Sequence, residues 1–283
     1  MQNSKFISYK DKQIHYRLFG TGKTVVLIHG FGEDGNIWKD LIKVLQNDFK
    51  LIIPDIPGSG SSEMLEGNVS IDDYADVIKI IIDKETRNDL PAEAQQSSTF
   101  PTASGGEIEG ATMIGHSMGG YITLAFAEKY PDLLNAFGLF HSSAFADDEE
   151  KKQTRSKAID FIKENGSYAF LKTAIPKLFA GDLHKKEMDQ LMEKGKDFRS
   201  EALIQYYNAM INRPDRTGIL KSFSKPILFI IGEKDSAIPL KSSLEQCHFP
   251  AKSYVNILDT GHMGMIEEPV QTSSIVKSFL QSI

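Results

Sequence analysis

Residues 111–120 read Ala111-Thr112-Met113-Ile114-Gly115-His116-Ser117-Met118-Gly119-Gly120, an apolar run that ends in a Gly-x-Ser-x-Gly pattern with a further glycine behind it. The pattern lies between a strand expected over 111–114 and a helix expected over 118–130. A serine there sits on a sharp turn at the carboxyl end of the strand, and glycines flank it because a larger side chain would collide with neighbouring backbone. The turn exposes the hydroxyl and aims the helix amino terminus at it, so Ser117 is the candidate nucleophile.

Outward from this turn, strand-like and helix-like segments alternate, as in a largely parallel sheet covered by helices on both faces. On the amino-terminal side, 5–9 and 13–19 flank Lys10-Asp11-Lys12 as a hairpin, which gives an antiparallel edge. The run Val25-Val26-Leu27-Ile28 is continuous rather than alternating, as expected of a strand buried on both faces over 24–29. A helix near 37–45, a strand over 50–53 and a helix over 70–83 follow. Ser70 can cap that helix, and Asp72 and Asp73 favour its positive end. Between 86 and 110 the composition shifts to Ser, Thr, Gln, Ala and Gly, which reads as a flexible surface loop. On the carboxyl-terminal side come strands over 135–140, 226–231 and 254–258, with helices near 240–246 and 275–280. The expected fold is α/β, with an eight-stranded, mostly parallel sheet. Residues 144–214 show no strand signal and suggest several short amphipathic helices. They read as a helical lid inserted after the sixth strand into a core of 1–143 and 215–283.

A serine hydroxyl is a weak nucleophile at neutral pH and needs a base, which in turn needs an orienting acid. Gly232-Glu233-Lys234-Asp235 follows one late strand and Asp259-Thr260-Gly261-His262 follows the last, giving the chain order Ser, Asp, His. Strand carboxyl ends share one edge of a parallel sheet, so His262 as base and Asp235 as orienting acid can meet Ser117. Glu233 would point differently from the same loop, Asp259 is expected to cap its own turn, and Asp55 is expected to bond the Gly58-Ser59-Gly60 amides. An oxyanion also needs two donors. One is the amide of Met118, after the nucleophile; the other is assigned to the amide of Phe31, in the loop His29-Gly30-Phe31-Gly32 after the first parallel strand. His29 and His116 then shape loops rather than transfer protons.

Together with Asp55-Ile56-Pro57-Gly58-Ser59-Gly60-Ser61-Ser62 and Gly261-His262-Met263, these segments resemble the α/β-hydrolase superfamily, specifically its small lidded serine hydrolases: carboxylesterases, haloperoxidase-like perhydrolases and enol-lactone hydrolases. The resemblance spans nearly the whole chain; the loop over 86–110 is longer than it implies. Related dehalogenases and epoxide hydrolases need a carboxylate at position 117, so acyl transfer on short- to medium-chain carboxylic esters is the implied activity. Carbon–carbon or enol-lactone hydrolysis, perhydrolysis or acyl transfer, and a non-catalytic ligand-binding role stay open. The lid should cover Ser117, with Phe145, Phe170, Ile175 and Tyr207 as candidates to line an acyl pocket, and Trp38 and His141 near the cleft.

Composition excludes other classes. The 32 basic and 38 acidic side chains leave a net charge of −6, against a nucleic-acid binder. No apolar run approaches the ~20 residues that span a bilayer, and the opening Met1-Gln2-Asn3-Ser4-Lys5-Phe6 lacks the apolar stretch of a secretory signal. With a lone Cys247, read as a packing residue, a cytoplasmic location is expected. The seven histidines are scattered, so no metal and no cofactor is expected. Gly30-Phe31-Gly32-Glu33-Asp34-Gly35 does match a dinucleotide fingerprint, but Glu33 and Asp34 would place carboxylates where a pyrophosphate must sit.

Overall fold

The structure is a computed structural model that describes residues 3–87 and 110–283. Strands β1 (Asn3–Tyr9) and β2 (Lys12–Phe19) form an antiparallel hairpin. Its two-residue turn holds Lys10 at φ 48° and Asp11 at φ 61°, the left-handed pair that a type I′ turn requires. Strands β3 (Thr24–Ile28), β4 (Lys50–Pro54), β5 (Ala111–His116), β6 (Leu134–Phe140), β7 (Ile227–Gly232) and β8 (Ser253–Leu258) complete one sheet in the order β1-β2-β4-β3-β5-β6-β7-β8. β2 runs antiparallel to both its neighbours, and every other adjacent pair is parallel.

From β3 the chain steps outward to β4 and then crosses back to β5 on the other side of β3. Right-handed crossovers therefore place α1 (Lys39–Leu45) on one face, with α2 (Ile71–Arg87) and α3 (Met118–Lys129) on the other. The packing agrees: α2 lies against α3, and α1 lies against α10 (Pro269–Gln281). With both faces covered, β5 and β7 are buried at every position, and α3 is buried from Met118 through Ala127. The reversal of strand order leaves a crevice at the carboxyl ends of β3 and β5, where such sheets bind ligands.

After β6 the chain becomes helical, through α4 (Glu149–Ala174), α5 (Lys185–Lys194) and α6 (Ser200–Ile211), and returns to β7 by α7 (Thr217–Ser222). Where several short helices are expected, α4 instead runs for 26 residues and is broken by Gly166, whose φ of 84° suits a residue without Cβ. α8 (Leu240–Gln246) and α9 (Gly264–Glu267) complete the core. The expected loop over 86–110 lies outside the described residues but for its ends. No helix among the described residues is long and apolar enough to cross a membrane.

Candidate active site

Ser117 lies between β5 and α3, as the N-cap of α3, at φ 51° and ψ −115°, a conformation that costs a non-glycine residue roughly 1–3 kcal/mol and persists only where the surroundings enforce it. They do so here. Ser117 N donates to Phe140 O (2.9 Å), while its carbonyl accepts from Gly120 N (2.9 Å) and Ser142 Oγ (2.7 Å). The flanking glycines are steric necessities: a Cβ on Gly115 would lie 2.2 Å from Gly119 O, and one on Gly119 would lie 2.4 Å from Ile28 O.

Asp235, just past β7, accepts at Oδ2 from His262 Nδ1 (2.7 Å) and at Oδ1 from the amides of Ala237 (2.8 Å) and Ile238 (3.0 Å). Burial works to raise its pKa, but His262, the bond to it, His141 and the Ile238 amide outweigh burial and hold the carboxyl below its ordinary 3.8. An ionised Asp235 can only accept, so the His262 nitrogen that bonds it, Nδ1, carries a proton.

A buried pair supports this arrangement from behind. His116 donates from Nδ1 to Glu33 Oε2 (3.0 Å) and from Nε2 to His262 O (2.9 Å), so both ring nitrogens are protonated. Burial lowers the His116 pKa, but Glu33 outweighs it and the net direction is upward; burial raises that of Glu33, and His116 brings it below 4.5. Glu33 also accepts from Gly30 N (2.7 Å), which ties the loop after β3 to the loop that carries His262. His141, at φ 46°, faces Asp235 from the other side. Its Nδ1 stands 3.6 Å from Asp235 Oδ2, and its Nε2 accepts from Gly264 N (3.2 Å). Burial and the neighbouring His262 push its pKa well below 6.5.

Ser117 and His262 line one cavity of about 570 Å³ together with Phe31, Phe170, Ile175 and Tyr207. Phe31 packs on Tyr207 with ring centroids 4.4 Å apart, and Phe170 meets both rings edge-on. Three residues offered as substrate contacts, Trp38, His141 and Phe145, do not line this cavity. Trp38 is fully buried at the end of the turn before α1, edge-on to His116 and Phe140. His141 is buried behind Asp235. Phe145 packs against Phe249, and its carbonyl accepts from Arg213.

The profile described as "Alpha/beta hydrolase family" matches residues 25–274. The chain belongs to the alpha/beta hydrolase family. It is 26% identical over 268 residues to Lipase 1 of Psychrobacter immobilis, covering 91% of this chain and 77% of the lipase. A thermophilic esterase from Thermogutta terrifontis superposes with a TM-score of 0.84 at 23% identity, covering 100% of this chain and 98% of the esterase. The enol-lactonase from Burkholderia xenovorans LB400 gives 0.83 at 20% identity, covering 98% and 100%.

In this alpha/beta hydrolase, sequence reasoning missed the polar part of the cavity wall, which includes Tyr121, Lys151 and Arg155. Tyr121 had a usable signal, being one helical turn after Ser117 and so on its face of α3. Arg155 gave none, because its partner Asp147 and the second arginine on that carboxylate, Arg213, are brought together only by the fold. Asp55 also differs from expectation. It accepts from the amides of Gly35 (2.9 Å) and Ser61 (3.1 Å), from Arg17 (2.9 Å) and from His15 (2.8 Å). The dinucleotide fingerprint is thereby spent, since Glu33 and Asp55 take the Gly30 and Gly35 amides a phosphate would need. Cys247 is buried, donates to Ser243 O, and has its thiol pushed up to about 12 by burial. Among the described residues no group of three or more His, Cys, Asp or Glu side chains could hold a metal ion.

Serine, histidine and aspartate meet a second time. Ser4 Oγ lies 2.7 Å from His15 Nε2, and His15 Nδ1 lies 2.8 Å from Asp55 Oδ2. Ser4 belongs to the edge strand β1, no helix begins behind it, and Asp55 is shared with Arg17 and two amides. The group clasps β1, β2 and the loop after β4.

Proposed function

We propose that the protein is a serine hydrolase that cleaves carboxylic esters through an acyl-enzyme on Ser117. The observation that carries this reading is the strained Ser117 at the mouth of α3, in one cavity with a His262 whose Nδ1 is held by Asp235 at 2.7 Å. His262 Nε2 takes the proton of Ser117 as Oγ attacks the ester carbonyl. The amides of Met118 and Phe31 receive the oxyanion, and the positive end of α3 favours the charge there. His262 then passes its proton to the departing alcohol, and water repeats the sequence to free the acid. Asp235 orients the imidazole and stabilises its charged form.

Residues 144–214 act as a lid in this reading. Phe170 and Ile175, at the end of α4 and just beyond it, and Tyr207 on α6 line the cavity with Phe31 and give the acyl chain an apolar wall. A series of p-nitrophenyl esters from acetate to octanoate tests the proposal. Hydrolysis that disappears in Ser117→Ala supports it, and the preferred chain length sizes the pocket; turnover that survives the substitution, or turnover of no ester, overturns it.

A further inference from the structure

One wall of the cavity is not apolar. Tyr121 is only 3% exposed, but its hydroxyl is not sealed off: no group among the described residues bonds it, and it opens onto the cavity that the residue lines. Two cations from one face of α4, four residues apart, line the same cavity. Among the described residues the Lys151 ammonium meets the carbonyl of Ala237 (3.1 Å) and no carboxylate. Arg155 gives Nε (2.6 Å) and Nη2 (3.4 Å) to Asp147 and stacks over Tyr207 at 5.6 Å, leaving Nη1 without a protein partner among the described residues.

On the buried side of this wall two arginines share one acid, and the exposed Lys177 lines the cavity as well. Asp147 is shared by Arg155 and by Arg213, whose guanidinium lies 3.9 Å over the Tyr121 ring, so one carboxylate faces two arginines and Lys151 adds a third cation. Of the other acids that line the cavity, Glu33 is paired with His116, while Asp148 and Glu150 are exposed to solvent, the former capping α4 through the Lys151 amide. Tyr121 registers the cations. Burial works to raise its pKa, but Arg213, Lys151 and Arg155 outweigh burial and hold the phenol below its ordinary 10.0.

We propose that Tyr121, Lys151 and Arg155 form a carboxylate subsite, and that the substrates are half-esters of dicarboxylic acids, whose free carboxylate binds there while the ester carbonyl meets Ser117. The phenol, the ammonium and Arg155 Nη1 are the donors this wall offers a carboxylate, and a charge-assisted bond is stronger than a neutral one. The inference rests on the reading of Ser117 as nucleophile. Ser117 Oγ bonds the carbonyl carbon, the bond to the alcohol oxygen breaks, and the alcohol leaves with the proton relayed by His262. Water then releases the diacid and returns a proton to Ser117.

The test follows hydrolysis of the monomethyl esters of succinic, glutaric and adipic acids and of chain-matched methyl esters of monocarboxylic acids in a pH-stat. The wild type should favour the half-esters in kcat/KM by about tenfold or more, the worth of one charge-assisted bond. Lys151→Met and the conservative Tyr121→Phe should each shrink that ratio several-fold, through KM more than kcat. Neutral esters hydrolysed as well as or better than half-esters would overturn the subsite and leave the esterase reading standing. Should neither class be turned over, the esterase reading fails, and glutarate binding by calorimetry decides the subsite: binding weakened in Lys151→Met keeps it, and no binding removes it.

Discussion

His262 has one nitrogen committed to Asp235, which makes the identity of residue 235 a question of tautomer as much as of charge. An amide at 235 could keep the shape while offering a donor where Nδ1–H must donate, so Asp235→Asn is expected to lower kcat on any ester substrate by about 10⁴-fold with an unchanged melting temperature. A loss of less than tenfold would show that Asp235 does not orient the base. His141 carries a different prediction. Its folded pKa lies well below 6.5, so as the pH falls below that value the unfolded chain takes up a proton that the folded chain refuses. Stability contributed by the neutral ring is present above 6.5 and lost on acidification, at up to about 1.4 kcal/mol per pH unit for one such group. Denaturant melts at stepped pH should show a shallower acid decline in His141→Gln. Ser117 and Asp235 were legible because each follows a strand announced by an apolar run, and His262 because it follows Gly261 just past the last strand, the more weakly marked Ser253–Leu258. The duty of His141 was not, because nothing local to Phe140-His141-Ser142 says which side of Asp235 the ring will occupy.

Among the elements, α3 is the most tightly constrained. Its first turn touches the backbone of β3, where a Cβ on Gly119 would meet Ile28 O at 2.4 Å. Gly119→Ala should destabilise the fold by about 2–3 kcal/mol, because overpacking against backbone cannot be relieved by a rotamer change. Gly218→Ala, in α7 with nothing within 4 Å of its added Cβ, should be neutral or stabilising by about 0.5–1 kcal/mol. Urea unfolding of the two variants reads the contrast, and equal stability would contradict the steric account of the elbow. Strands β3, β5 and β7 could be read directly, since burial on both faces writes itself as unbroken apolar sequence. The break at Gly166 could not, because an isolated glycine in a helical stretch is as often tolerated as it is a kink.

At the scale of the molecule, topology gathers residues 117, 235 and 262 at one edge of the sheet and then lays α4 and α6 across them. The first half of that statement follows from parallel strands and chain order alone, which is why the sequence supports it. The second half depends on long-range anchors such as Tyr206 donating to Pro57 O (2.8 Å) and Gln205 to Leu65 O (2.9 Å). Arg216 adds contacts to Asp72 (2.8 Å) and Glu128 (2.9 Å). None of these has a local signature, and so Arg155 reads in sequence as a solvated charge although it faces the cavity. The central claim, that Ser117 is the one activated nucleophile, is tested most directly by exposing the wild type, Ser117→Ala and Ser4→Ala to a fluorophosphonate and weighing the intact proteins. A single covalent adduct on the wild type and on Ser4→Ala, mapped to Ser117 and missing from Ser117→Ala, is the predicted result. An unmodified wild type, or an adduct that persists in Ser117→Ala, would contradict it.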